Sequence, residues 1–103
     1  MPGFASPKCW AAGVVTNAAA PATGPVLWAC TVADGGAGIY TWTLSNALDV
    51  NESHISVTAR TVDLTILVTH TSDTVKTITF ANILGADTDA LHSMMAFQFA
   101  PGS

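Results

Sequence analysis

The chain has 103 residues, half of them apolar and only 10% charged, with a formal net charge of −4. That length allows one domain, and three scattered basic residues, Lys8, Arg60 and Lys76, exclude a phosphate-backbone binder, which needs clustered Lys and Arg. No uncharged apolar run reaches the ~20 residues of a membrane helix, and the opening MPGFASPKCW lacks the basic-then-apolar pattern of a secretory signal, so synthesis in the cytoplasm without membrane insertion is expected.

Residues 1–7 contain Pro2, Gly3 and Pro7 and are expected to form an extended arm with Phe4 as its lone large apolar anchor. Residues 8–100 are expected to form a single β-domain. Its first strand is predicted over Lys8–Thr16, followed by a loop at 17–25 that Pro21, Gly24 and Pro25 interrupt. A second strand is predicted over Val26–Val32, closed by the turn ADGGAG at 33–38, whose glycines accept positive φ without a Cβ clash. The clearest strand comes next. Tyr40, Trp42 and Leu44 point one way and Thr41 and Thr43 the other, the period-two signature of a half-buried strand.

A polar loop, SNALDVNES, covers 45–53. Beyond it, Ile55, Val57 and Ala59 alternate with Ser56, Thr58 and Arg60, and then Val62, Leu64, Ile66 and Val68 alternate with Asp63, Thr65 and Thr69. HTSDT at 70–74 predicts a tight turn in which Ser72 and Asp73 bond local backbone. Lys76, Ile78 and Phe80 alternate with Val75, Thr77 and Thr79, and the pattern leaves open which face is core. After a turn at 84–90, the last strand, Leu91–Phe99, places Met95, Phe97 and Phe99 on one side and Met94, Ala96 and Gln98 on the other. Both sides are largely apolar, which predicts a central place or a subunit interface. Phe4, Met94, Met95, Phe97 and Phe99 are the candidate interface residues. About seven short strands at roughly 8–12-residue spacing predict an all-β antiparallel sandwich or jelly-roll-like barrel.

No residue pattern predicts catalysis, and the chain is expected not to be an enzyme. HTSD places Ser, His and Asp side by side in one turn, whereas a hydrolase triad converges from distant parts of a fold. GGAG at 35–38 lacks the Lys and following helix of a phosphate loop. His54, His70 and His92 are 16 and 22 residues apart and read as strand-end residues rather than as a metal site or pH-responsive contact. Asp87 and Asp89 in GADTD supply too few oxygens for calcium and read as turn-capping carboxylates. Cys9 and Cys30 form no metal-ligand spacing and are expected to be buried thiols rather than a disulfide. No cofactor is expected. Trp10, Trp28, Tyr40 and Trp42 fit either a carbohydrate site or a core, and Tyr40 and Trp42 share a strand face with Leu44 as core residues do.

An ordinary soluble domain is ~25% charged, and one this small buries only about 60–70% of its unfolded surface. Much of this exterior is therefore expected to be covered by other chains.

Three segments, PKCWA at 7–11, WACTVADGGAGIYTWTL at 28–44 and HTSDTVKTITF with GADTDALHSMMAFQF near the end, resemble a small β-domain of tailed-phage virion proteins. Such domains occur in head decorations, head fibres and fibre tips, and are distantly similar to the C1q/TNF-type jelly roll. The resemblance implies a homotrimeric structural subunit with other virion proteins, such as the major capsid protein, as partners. It transfers no catalytic residue. A start at Met1 with no long upstream shaft fits a decoration, spike or small adaptor subunit, and a receptor- or glycan-binding fibre tip, with a host-surface glycan as partner, is the alternative.

Overall fold

The computed structural model describes residues 8–48, 53–60 and 63–99. Eight strands form: β1 (Lys8–Val14), β2 (Val26–Trp28), β3 (Cys30–Gly36), β4 (Ile39–Leu44), β5 (Ser53–Ala59), β6 (Thr65–His70), β7 (Val75–Ala81) and β8 (His92–Gln98). They build two four-stranded antiparallel sheets, β2-β1-β8-β5 (sheet I) and β3-β4-β7-β6 (sheet II). The fold is an all-β sandwich. The arm predicted at 1–7 lies outside the described residues, as do Phe4 and position 62.

The predicted second strand is in fact two. Ala29 takes φ 56, a left-handed conformation that costs an alanine of order 1–2 kcal/mol. That bend sends β2 into sheet I, against β1, and β3 into sheet II, against β4. The Ser45 N–H bonds the Ala29 carbonyl at 2.9 Å and holds the bend. The glycine-rich run is also less of a turn than expected. β3 continues through Asp34 and bulges before Gly36, leaving a connection of Ala37 and Gly38 alone. Gly38 has φ 69, and a Cβ there would lie 2.6 Å from the Phe80 carbonyl oxygen and from the Thr88 nitrogen. Only glycine permits that approach.

Sheet II supplies the bulk of the core. Tyr40 and Trp42 from β4 and Ile78 and Phe80 from β7 are fully buried, with Leu44 and Val32 beside them. The face that the alternation of β7 left open is therefore settled: Lys76, Ile78 and Phe80 point inward. Sheet I meets these rings with small side chains: Ala11, Gly13 and Ala96 are buried, and Met94 is its large contribution. A β-carbon at Gly13 would lie 2.5 Å from Cζ3 of Trp42, so the glycine is the recess that accepts the indole. Large against small is how facing layers reach native density. β8 is central, between β1 and β5, as its two apolar sides predict.

The side-chain polar groups of Trp42, His92 and Tyr40 are paired inside the core. The Trp42 indole N–H donates to His92 Nε2 at 3.2 Å, while His92 Nδ1 lies 3.0 Å from the Ala90 carbonyl. The His92 ring packs against Tyr40 and Phe80 at centroid distances of 4.6 and 4.7 Å. The Tyr40 hydroxyl donates to the Ala18 carbonyl and accepts the Ala90 N–H, both at 2.9 Å. It thereby ties the β1–β2 loop to the start of β8.

Candidate functional site

The three histidines do not converge. His54 is exposed on the edge strand β5, His70 ends β6 and His92 is sealed in the core. Among the described residues no group of three or more His, Cys, Asp or Glu is gathered. Asp89 acts as a turn cap, its Oδ1 accepting the Gly38 N–H at 2.7 Å. Cys9 and Cys30 are free thiols. Cys30 donates to the Ala12 carbonyl at 3.4 Å, and burial raises its thiol pKa, which keeps it in the unreactive protonated form.

Lys76 is a polar group that its alternation could not place. It is buried, yet its ammonium reaches the β6–β7 hairpin, 2.7 Å from His70 Nδ1 and 2.6 Å from the Ser72 carbonyl. His70 Nε2 in turn faces Asp73 Oδ1 at 3.4 Å. Burial lowers the Lys76 pKa, against the opposing pull of Asp73. The arrangement ties the hairpin together and leaves the amine inaccessible to a substrate.

What remains is surface. Apart from Lys8 at the start of β1, the four strands of sheet I contain no charged residue. Directly paired residues share a face, so the register builds its outer surface row by row. One row runs Trp28–Ala12–Met95–Ser56, and the next Val26–Val14–Ser93–Thr58. Phe97 sits between Cys9 and His54 in a third. Trp28 is 56% exposed, Val26 65% and Met95 42%. Of the predicted interface residues, Met95 and Phe97 lie on this face, and Phe99 follows the end of β8, 42% exposed. Met94 does not join them: it points inward and is fully buried in its own domain's core, because alternation turns it opposite to Met95.

Beside this face, at the β2–β3 bend, lies an open cleft of about 350 Å³ lined by Lys8, Cys9, Trp10, Trp28, Ala29 and Asn46. Trp10 reaches it because β1 bulges between Cys9 and Ala11, making Trp10 the extra residue. Its indole N–H is buried without an acceptor. The sequence showed both tryptophans but not their convergence, which depends on the bulge and on the bend at Ala29.

No protein family, curated protein or solved structure matches this chain.

Proposed function

We propose that this chain is a structural subunit of a tailed-phage virion, a small capsid decoration, spike or fibre component that assembles as an oligomer, with a homotrimer as the favoured state. The observation that carries the assembly reading is the outer face of sheet I, an uncharged surface displaying Trp28, Val26, Met95 and Phe97. A solvated sheet face alternates apolar-in with polar-out, and contiguous exposed apolar surface marks a protein–protein contact. The resemblance of three sequence segments to virion β-domains supplies the particle as its setting, with self and the major capsid protein as partners. The reading assigns no catalysis and no cofactor.

Two measurements test it. Sedimentation equilibrium at micromolar concentration is expected to give an oligomer, and a well-behaved monomer removes the assembly reading. Particles of the phage that encodes the chain are expected to contain it at fixed copy number, and its absence from purified particles removes the virion setting.

The alternative, a receptor- or glycan-binding tip module, is favoured by one observation, the tryptophan-lined cleft.

A further inference from the structure

We propose that the cleft at the β2–β3 bend binds one pyranose ring of a saccharide, stacked on the indoles of Trp10 and Trp28. The proposal deepens the glycan-binding reading and requires that assembly leave Trp28 uncovered.

Three features of the cleft point to that ligand class. Both indoles line it, and neither makes a ring contact with another aromatic side chain of the described residues, whose ring pairs all lie among Tyr40, Trp42, Phe80 and His92. Trp28 is 56% exposed and Trp10 is half-buried with its inner side against the core, and the polarised C–H bonds on the flat side of a pyranose meet the negative face of an exposed indole favourably. The rim is polar in the way sugar hydroxyls require. The Asn46 amide offers both donors and an acceptor and Lys8 offers donors, and neither group is used in a hydrogen bond within the described residues.

Finally, the size fits. About 350 Å³ is at the small end of ligand sites, suited to one ring rather than to a long peptide. No carboxylate lines the cleft, so nothing repels an acidic sugar, and Lys8 attracts one.

The test is an NMR titration of the tryptophan indole N–H signals in the intact chain. The probes are methyl β-glucopyranoside and its carboxylate counterpart methyl β-glucuronide, with glycerol as a polyol control. Saturable shifts of the Trp10 and Trp28 signals, with Trp42 unmoved, are expected, and the dissociation constant should be of millimolar order because one ring offers little contact area. Tighter binding of the glucuronide assigns its carboxylate to Lys8. Trp28→Ala is expected to weaken binding about tenfold, the upper range of an aromatic contact. Because Trp28 is largely exposed, the variant keeps its fold, checked by the unchanged Trp42 signal. Asn46→Ala, at an exposed loop position, is expected to weaken it several-fold. The proposal is overturned if neither glycoside gives saturable shifts, if glycerol gives the same shifts, or if Trp10 and Trp28 respond to protein concentration and not to sugar, which would make the cleft a contact between copies.

Discussion

The two sheets use the same kinds of residue in opposite ways. Sheet II is a conventional amphipathic sheet. Its inner face carries Tyr40, Trp42, Ile78 and Phe80, and its outer face carries Thr31, Thr41, Thr43, Thr65, Thr69, Thr77 and Thr79. Threonine keeps the β-branched shape that a pleated surface favours while leaving a hydroxyl to water. Sheet I reverses the sizes. Opposite the rings its inner face is cut down to Ala11, Gly13 and Ala96, with Met94, Ile55 and Val57 filling the space beside them, while Trp28, Met95 and Phe97 lie on the outside. Sheet II still exposes Leu67 on its outer face, but among threonines, whereas the exposed apolar residues of sheet I lie in adjoining rows. That contrast is the basis for proposing the outer face of sheet I as the contact surface.

The sharpest way to break this contrast is at its inner contact. Trp42→Ala is expected to destabilise the fold by about 3–5 kcal/mol, the range for a deleted core aromatic, read from urea unfolding. A loss below ~1 kcal/mol, the range of surface changes, would show that sheet II does not hold the bulk of the core. On the opposite wall, Gly13→Ala adds a methyl where Trp42 already sits and is expected to cost about 1–3 kcal/mol by overpacking. A neutral or stabilising effect would mean that the recess is not filled.

Acid probes the polar seam between the sheets. Burial lowers the His92 pKa from 6.5, against the opposing effect of the Ala90 carbonyl. In the window below 6.5 the unfolded chain therefore binds more protons than the folded one. Stability from this group is complete above pH 6.5 and falls as the pH drops towards the folded-state pKa. The urea midpoint is expected to decrease over that window, and His92→Gln should flatten the decrease. An unchanged slope in the variant would exclude His92 as its source.

The outer faces should separate assembly from stability. Met95→Glu is expected to change monomer stability by no more than about 0.5 kcal/mol yet to dissociate the oligomer, seen as a lower sedimentation coefficient. Retained assembly would move the interface elsewhere. Thr41→Ser on the opposite face is expected to alter neither assembly nor, beyond about 0.5 kcal/mol, stability. An assembly defect there would overturn the contrast from the other side.

Parts of this arrangement were legible in the residue order. Tyr40, Trp42 and Leu44 alternating with threonines read as a strand with one buried face, and they form one. The two apolar sides of β8 read as a central place or a subunit interface, and the strand is central in its sheet. The inward side of β7 did not follow, because a lysine at 76 reads as solvent-facing, and its burial depends on His70 and Ser72 arriving from the hairpin to receive its amine. Met94 and Met95 are chemically equal in the sequence, and only register against β1 and β5 separates a core residue from a surface one.

The sequence by itself determined the class of fold, since alternation with period two and turn residues at regular spacing are local properties that leave little choice but an all-β sandwich or barrel. It also determined how few charged groups the surface would carry, since that is set by composition alone. Tertiary structure decided the rest. The left-handed bend at Ala29 that divides one apparent strand between two sheets, the recess at Gly13, the choice of His92 rather than water as the partner of Trp42 and the meeting of Trp10 with Trp28 in one cleft all join residues far apart in the sequence, up to 50 positions for Trp42 and His92, or depend on such contacts. The energy of those contacts exists only once the two sheets have packed, so no local pattern records it.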